Sequence, residues 1–499
     1  MDQCPTIMIQ GTSSSVGKSL LTAALCRIFS RKGLRVAPFK AQNMSLNVHI
    51  TQDGGEIGVA QAIQASAAGV APHVSMNPIL LKPEGHRNSQ VVVEGQVDHY
   101  LSSLPYQERK HLLTSVVKRN LDSLRAAYDL VVIEGAGSPA EINLKHHDIV
   151  NMFVAKYCRS PVLLVGDIDR GGVFASLIGT LQLLDPEERH LVKGFLINKF
   201  RGDVNLLTDG LDFLENYTKK PVLGVIPAIT NLAIAEEDSL SLENKATSFS
   251  LEQDTLKIAV VRLPRLSNFD EFEDLESHPR IDLIYTCDPN LILDSDLCIL
   301  PGSKCTMNDL VWLKQRELDS AIKQRMNSSK PTMAICGGYQ MLGTVVRDPE
   351  RIESINQEEE GLGSFPFETR MTHHKHCHRV RAKLHSSFLG IPTMEVSGYE
   401  IHCGITDLSG HTAFTIESRG HHGTKIPEGV ATETFLGTLI HGLFRNPPFR
   451  QALLNHLTKL KGIDPIDSLQ QQPDTEINRL ADTVEDAVSI PNIEAMIFD

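Results

Sequence analysis

A glycine-containing turn between a short apolar run and a helix-forming stretch constrains this chain most. Residues 6–10 read TIMIQ, residues 11–19 read GTSSSVGKS, and the stretch LLTAALCRIFSRKG follows. A turn of this kind aims several backbone N–H groups, and the positive end of a helix dipole, at one anion. The sequence therefore predicts a phosphate-binding loop at the end of the first strand of an α/β domain.

The predicted loop supplies candidate contacts to a bound nucleotide. Lys18 would reach the β- and γ-phosphates, and the hydroxyl of Ser19 would ligate Mg²⁺. The usual spacing GxxxxGK[ST] requires glycine where this chain has Thr12, and the glycine stands one residue earlier, at Gly11. The candidate nucleotide-binding residues of the loop are Thr12, Ser13, Ser14, Ser15, Val16, Gly17, Lys18 and Ser19.

Charged residues at other strand ends are candidates for the same site. Glu134 ends the run DLVVIE, which places a carboxylate at the carboxyl edge of the sheet, where ligands bind in such folds. We expect it to be a second Mg²⁺ ligand beside Ser19. Lys40 also ends a strand and could neutralise phosphate charge, and Glu56 could supply another metal ligand. For Lys40 and Glu56, a solvated charge at a strand end is the alternative interpretation.

Short apolar runs alternate with helical stretches along the chain, which indicates parallel sheets covered on both faces. The chain has 499 residues, so two or more domains are expected. We predict an α/β domain over 1–235 that carries the phosphate-binding loop, a polar linker over 236–254, a second α/β domain over 255–450 and a helical, acidic tail at the edge over 451–499. The predicted strands are 6–10, 34–39, 129–134, 161–165, 194–198, 221–226, 257–261, 281–286, 296–300 and 332–335.

Composition restricts the class of protein. Asp plus Glu number 61 against 48 for Lys plus Arg, a net charge of -13, and this diffuse acidic excess argues against binding nucleic acid or an anionic membrane surface. Nine cysteines without a CxxC pair favour a reducing compartment over a disulfide framework. No apolar stretch approaches the ~18 residues that span a bilayer. We therefore expect a cytoplasmic multidomain protein.

The second half contains a candidate nucleophile. In KPTMAICGGYQMLG, Cys336 stands between an apolar run and a helical stretch and is followed by Gly337 and another glycine. This pattern is typical of a strained strand–nucleophile–helix turn, where glycines permit the tight backbone. The N–H groups of Gly337 and of Gly302, in the turn LPGSK, could form an oxyanion hole. His441, in GTLIHGLF, is the predicted base. The alternative for Cys336 is an inert buried thiol.

The histidine-rich stretch THHKHCH at 372–378 is not predicted to bind a metal ion. Adjacent histidines cannot all converge on one ion, and no second Cys/His pair lies at finger spacing. We interpret the stretch as a solvated polar loop.

A nucleotide-binding domain joined to a cysteine-hydrolase domain suits amide synthesis. ATP can activate a carboxylate as an acyl phosphate, and a thiolate can release ammonia from glutamine through a thioester. The segments GTSSSVGKS, APFKAQNMS, VIEGAGSPAEINL, VGDIDRGGVFAS, INKFRGD, LPRLSNFDEF, LPGSKCTMNDL, ICGGYQMLG and LIHGLF, in this order, resemble those of the bacterial cobyric acid synthases.

The resemblance implies two doubly wound α/β domains, a P-loop ATPase of the dethiobiotin-synthetase type followed by a class I glutamine amidotransferase. It further implies amidation of the b, d, e and g carboxylates of adenosylcobyrinic acid a,c-diamide with glutamine, ATP and Mg²⁺. Cys336 then matches the family's nucleophile and His441 its catalytic histidine. Most class I domains carry a Glu two residues after this histidine, where this chain has Leu443. Glu400 is a candidate substitute.

In the first domain the resemblance assigns further residues. The one-residue-longer spacing of the loop is the one that this ATPase type uses. Glu56 and Glu134 align with metal-binding acids, and Asn198 matches a residue expected near the adenine. Asp148 falls where the family has an acidic residue thought to act near the corrin substrate.

Three alternatives stay open at this level. The sister enzyme that amidates the a and c carboxylates shares both domain types. CTP synthase is also a synthetase–glutaminase fusion, but its histidine carries the adjacent acid. A partitioning-type ATPase with a degenerate amidotransferase domain would use that domain only for binding. The sequence also leaves open whether the chain forms a homo-oligomer.

Overall fold

The structure is a computed structural model that describes residues 3–84, 89–230, 232, 234, 248–250, 254–385, 388–407, 412–468 and 473–498. The strands of the first half are β1 (Thr6–Gly11), β2 (Val36–Phe39), β3 (Gln42–Met44), β4 (Val48–Ile50), β5 (Glu56–Gly58), β6 (Ile79–Pro83), β7 (Ser89–Val93), β8 (Gln96–Val97), β9 (Leu130–Glu134), β10 (Val162–Asp167), β11 (Val192–Phe200) and β12 (Val222–Pro227). Its helices are α1 (Lys18–Arg31), α2 (Val59–Ala67), α3 (His99–Ser103), α4 (Tyr106–Ala127), α5 (Met152–Cys158), α6 (Val173–Leu183), α7 (Pro186–Leu191) and α8 (Thr208–Thr218).

The second half has a similar number of elements. Its strands are β13 (Leu256–Val261), β14 (Ile281–Thr286), β15 (Leu297–Leu300), β16 (Thr332–Ile335), β17 (Val345–Arg347), β18 (Glu358–Glu360), β19 (Glu368–Leu384), β20 (Met394–Thr406), β21 (Thr412–Arg419), β22 (His422–Ala431), β23 (Phe435–Thr438) and β24 (Ile440–His441). Its helices are α9 (Glu273–Glu276), α10 (Pro289–Asp294), α11 (Thr306–Gln315), α12 (Leu318–Asn327), α13 (Gly337–Gln340), α14 (Pro447–Lys461), α15 (Pro473–Ala487) and α16 (Ile490–Phe498).

The first half is built on a parallel sheet in the order β12-β11-β10-β1-β9-β2. Ile7 and Ile9 of β1 join the hydrophobic core on one face, and Met8 joins the core on the other. Because successive side chains of a strand point to opposite faces, a continuous apolar run is what a strand covered on both sides requires. The central position of β1 puts the loop that follows it next to the ends of β9 and β10.

The second half has a parallel core in the order β14-β13-β15-β16-β23, extended by antiparallel strands. The predicted α/β class with two parallel sheets is confirmed. The long pair β19–β20 was not predicted, and the histidine-rich stretch lies inside β19, so its interpretation as a loop is wrong. Apolar residues alternating with charged ones at 380–384 are the strand signal there. Among the described residues, no group of three or more His, Cys, Asp or Glu could hold a metal ion.

The sequence predicts a helical tail at the edge over 451–499, but the last two helices pack into a hydrophobic core. Residues of α15 and α16 complete the core on one face of the first sheet. In α15, Ile477, Leu480, Ala481 and Val484 recur at helical spacing and are buried against α1 and its neighbours. The helix α14 precedes them in the chain and continues past position 450, the predicted end of the second domain. It packs into the hydrophobic core of the second half. The predicted linker 236–254 lies mostly outside the described residues.

We predict that Leu480→Ala destabilises the first domain by about 2–5 kcal/mol, because it leaves a cavity in a closed core. Leu480 is 1% exposed. Leu460→Ala is the matched control, since Leu460 is 58% exposed and its truncation leaves no cavity. Urea denaturation of both variants and the parent measures the effect. Equal transition midpoints for the Leu480 variant and the parent would show that α15 contributes nothing to this core.

The two halves meet through the β4–β5 hairpin. Val48 and Ile50 of the hairpin share a small hydrophobic cluster with Cys377, Tyr399 and Ile401 of the second half. Polar bonds and ion pairs cross the same boundary, as described below. None of the helices in the described ranges is long and apolar enough to cross a membrane.

Candidate active site

Cys336 lies in a strained turn between β16 and α13. Its backbone has φ 51° and ψ −114°, a conformation that costs energy for a residue with a side chain. A Cβ on Gly338 would come within 2.3 Å of the carbonyl oxygen of Leu300, so only glycine fits at that position. The thiol is 6% exposed. This is the geometry that presents a nucleophile at the carboxyl end of a parallel strand.

His441 is held next to this turn by a carboxylate. Its Nδ1–H donates to Oε1 of Glu271 at 2.9 Å, and the N–H of Gly442 donates to Oε2 at 3.0 Å. The ring of Tyr399 stacks on the imidazole, with centroids 5.2 Å apart and planes at 12°. Both His441 and Glu271 are fully buried. With Nδ1 committed to the carboxylate, Nε2 is the ring nitrogen left for the thiol of Cys336.

The electrostatics of the pair favour a charged imidazole. Burial lowers the pKa of His441, but the Glu271 carboxylate and then the Cys336 sulfur raise it by more, to about 10. A protonated imidazole beside the sulfur stabilises a thiolate, which is the nucleophilic form of cysteine.

The two predicted oxyanion glycines lie close to this pair. A Cβ on Gly302 would come within 2.9 Å of Cε1 of His441, and a Cβ on Gly337 would come within 3.0 Å of the backbone N of Ser303. The turns after β15 and β16 therefore contact each other next to Cys336 and His441. That the two N–H groups hold an oxyanion stays a prediction.

Sequence reasoning missed Glu271. The class I pattern places the orienting acid at position 443, which is Leu443 here. The candidate substitute Glu400 instead accepts hydrogen bonds from Arg419 at 2.6 and 2.8 Å. Glu271 stands 170 residues before His441, in the segment FDEFEDLE. It is one of five acidic residues in this segment, and its neighbours Asp270 and Phe272 do not single it out.

The phosphate loop forms between β1 and α1. Nζ of Lys18 donates to the carbonyl oxygens of Ser13 at 2.9 Å and Gly137 at 3.1 Å, which lays the side chain along the loop. Gly17 has φ 101°, and a Cβ there would come within 2.1 Å of Nδ2 of Asn198. The amide of Asn198 donates to the carbonyl oxygen of Val16 at 2.8 Å. Asn198 thus supports the loop, and its predicted place near an adenine stays a prediction.

Ser19, at the start of α1, and Glu134, at the end of β9, lie next to each other, as two ligands of one Mg²⁺ ion would. The hydroxyl of Ser19 donates to Oε1 of Glu134 at 2.8 Å, and Nζ of Lys40 lies 3.0 Å from the same oxygen. Gln64, on α2, donates to Oε2 at 2.6 Å. Burial raises the pKa of Glu134, but Lys40 and these hydrogen bonds outweigh burial and hold it below its ordinary value. The carboxylate is therefore ionised at neutral pH.

This donor set fits Mg²⁺. A hydroxyl and an ionised carboxylate offer the hard oxygen ligands that Mg²⁺ prefers, and substrate phosphates commonly supply others. Glu56 does not belong to the set. Its two oxygens lie 2.8 Å from Nζ of Lys82 and 2.5 Å from Nζ of Lys375. Each oxygen of Glu56 thus pairs with an ammonium group, and neither of these partners belongs to the phosphate loop, whereas Glu134 contacts Ser19 of the loop directly. The predicted role of Glu56 as a metal ligand is not supported.

Asp148 has a structural role at the start of α5. Its carboxylate oxygens accept N–H bonds from Val150, Asn151 and Phe153 at 2.8 to 3.0 Å. These bonds satisfy backbone donors that a helix start leaves open. A contact between Asp148 and a corrin substrate stays a prediction.

Comparison with known proteins identifies a family for each half of the chain. Residues 7–242 match the family model described as the CobQ/CobB/MinD/ParA nucleotide binding domain, and residues 257–449 match that of the CobB/CobQ-like glutamine amidotransferase domain. The cobyric acid synthase of Sorangium cellulosum is 49% identical, with 96% of each chain covered. The cobyric acid synthase of Dehalococcoides mccartyi strain CBDB1 is 47% identical, with 98% of each chain covered.

The chain belongs to the cobyric acid synthase family. Like the cobyric acid synthases, it is a glutamine-hydrolysing ligase of cobalamin biosynthesis that uses ATP. In this family setting, the turn at Cys336 lies in the amidotransferase part of the chain and the loop at Lys18 in the nucleotide-binding part.

Proposed function

We propose that the chain converts adenosylcobyrinic acid a,c-diamide to adenosylcobyric acid by amidating its b, d, e and g carboxylates. Glutamine is the nitrogen donor, ATP activates the carboxylates, and Mg²⁺ assists at the nucleotide. One observation carries the proposal. A nucleophile turn and a phosphate loop occur in a single chain that matches cobyric acid synthases over nearly its full length.

The glutaminase half-reaction uses Cys336 and His441. The imidazolium and the sulfur form an ion pair, and the thiolate attacks the side-chain carbonyl of glutamine. The N–H groups of Gly302 and Gly337 stabilise the oxyanion. His441 then gives its proton to the departing ammonia and afterwards takes one from the water that hydrolyses the thioester, so glutamate leaves and the thiol is restored.

The synthetase half-reaction takes place at the phosphate loop. Lys18 and the backbone of residues 12–19 bind the phosphates, and Lys40 offsets their negative charge. Ser19 and Glu134 would hold Mg²⁺, which supplies charge neutralisation at the phosphates when bound. A carboxylate of the substrate attacks the γ-phosphorus of ATP, so that ADP leaves and an acyl phosphate forms. Ammonia displaces phosphate from it and forms the amide.

Substrate identity is tested by feeding two corrinoids separately. With ATP, Mg²⁺ and glutamine, we expect the a,c-diamide to gain amides stepwise, up to the product with all four positions amidated, as followed by mass spectrometry. Cobyrinic acid without its a and c amides should be unchanged under the same conditions, and reactions without ATP serve as the control. Turnover of cobyrinic acid but not of the a,c-diamide would instead assign the activity of the sister enzyme.

A further inference from the structure

Glu271 lies in a short turn that belongs to neither of the predicted catalytic segments. The turn is one 3₁₀ helix, Phe269–Phe272, which leads directly into α9. Asn268 precedes it in the left-handed region, with φ 56° and ψ 37°. Both oxygens of Glu271 are used on His441 and Gly442. The position of the imidazole therefore depends on where this turn is fixed.

Two asparagines fix the turn to the first domain. The N–H of Phe269 donates to Oδ1 of Asn47 at 3.0 Å, and the N–H of Val48 donates to Oδ1 of Asn268 at 3.3 Å. Each asparagine thus accepts a backbone hydrogen bond from the residue next to the other. Asn47 is 0% exposed and Asn268 is 3% exposed. A hydrogen bond between buried partners is costly to break, because the donor left behind cannot form a hydrogen bond with water instead.

Asn47 is also connected to the nucleotide site. The carbonyl oxygen of Asn47 accepts the N–H of Val59 at 3.4 Å, at the start of α2. From α2, Gln64 donates to Glu134, the proposed Mg²⁺ ligand. A continuous set of polar contacts therefore extends from the phosphate loop, through α2 and Asn47, to the turn that carries Glu271.

We propose that Glu271 is the positioning residue of His441 and that the Asn47–Asn268 pair makes this position depend on docking of the nucleotide-binding domain. The inference rests on the proposed glutaminase function. The carboxylate keeps the Nδ1 proton in place, so that Nε2 faces the sulfur with the correct tautomer. The asparagine pair holds the carboxylate of Glu271 within hydrogen-bond distance of Nδ1 of His441.

Glu271→Gln tests the first part. The side-chain NH₂ of glutamine would face Nδ1 and favour the opposite tautomer, so we expect kcat/KM for glutamine to fall by about 10²–10⁴-fold. The KM for glutamine and amidation from ammonium should stay near the parent values. Glu271→Asp, which keeps the charge, should restore part of the activity. Glu395→Gln, at an exposed position of β20, is the matched control.

The pH profile separates positioning from a merely structural role. The charged and titratable groups around the imidazole are Glu271, Cys336 and Tyr399, with Asp270 and Arg445 beside them. Glu271 raises the pKa of His441, and its neutral replacement removes that effect. The alkaline limb of the glutamine-dependent rate should therefore move to lower pH in Glu271→Gln. An unmoved limb together with full glutamine activity would overturn the role of Glu271.

Asn268→Gly tests the second part. Glycine adopts the left-handed backbone without strain, so the variant removes the side chain of Asn268 and its hydrogen bond between domains without straining the turn. We expect glutamine-dependent turnover to fall by about 2–10-fold, a typical effect of one lost hydrogen bond, with ammonium-dependent turnover retained. Adding Asn268→Gly to Glu271→Gln should cause little further loss. Ser329→Gly, at an exposed left-handed position before β16, controls for the glycine.

The outcomes distinguish this inference from the proposed function. Parent activity in Asn268→Gly, or a full additional loss in the double variant, would overturn the dependence on docking. If Cys336→Ala abolishes glutamine use and Glu271→Gln does not weaken it, only the positioning role fails. If Cys336→Ala keeps glutamine use, the proposed glutaminase function itself fails.

Discussion

Replacing Cys336 with alanine should abolish glutamine-dependent amidation and leave ammonium-dependent amidation intact. The thiolate is the only atom of the proposed site that bonds to glutamine, and loss of a catalytic nucleophile typically lowers kcat by about 10⁴–10⁶-fold. Ammonium supplies free ammonia directly, so the nucleotide site can still form amides. The measurement is a mass-resolved time course with the a,c-diamide, ATP, Mg²⁺ and either nitrogen source.

Cys298→Ala is the matched control for this variant. Cys298 is buried in the same domain, and burial raises the pKa of its thiol to about 11, so it is not a nucleophile at neutral pH. Its replacement should leave both activities near those of the parent. Loss of both activities in a folded Cys336→Ala protein would contradict the division of labour between the two sites.

Lys18→Ala should remove amidation from either nitrogen source, by about 10²-fold or more. The ammonium group of Lys18 stabilises negative charge that develops on the transferred phosphoryl group, and loss of one such donor has an effect of this size. Lys32→Ala, near the end of the same helix and outside the loop, should behave like the parent. The assay again compares glutamine with ammonium.

Hydrolysis of glutamine to glutamate gives a second measurement on the Lys18 variant. We expect it to continue, because Lys18 contacts the loop and Gly137 and is not part of the Cys336 turn. Full amidation activity in Lys18→Ala would refute the phosphate-loop assignment. Glutamate formation with no amide product would instead support it.

Local patterns were sufficient for the parallel sheets and for the phosphate loop. The buried strands of these sheets are short, mostly apolar runs, and the ten predicted runs all overlap strands of the structure. The contact of Ser19 with Glu134 followed from topology, because β1 and β9 are adjacent and parallel and their carboxyl ends share an edge. Local sequence patterns, together with the rule that ligands bind at the carboxyl edge of a parallel sheet, are enough to predict these features.

Features set by distant contacts were not predictable in the same way. The residue Glu271 acts on an imidazole 170 positions away, and no periodicity links the two. Glu56 looked like a strand-end ligand, but its partners Lys82 and Lys375 come from two other strands, one of them in the other domain. The amphipathic pattern of α15 indicates a buried face, but it does not indicate which core receives that face.

The path of the chain has a consequence for its biosynthesis. Part of one face of the first sheet is covered by α15 and α16, which leave the ribosome after the whole amidotransferase region, while α1 packs on the same face. The N-terminal half therefore cannot complete the burial of that face until the amidotransferase region has been made, in contrast to the usual order in which domains fold as they emerge. A gene split between the two halves would separate the sheet from two of the helices that pack on it, so the fusion also keeps this core complete.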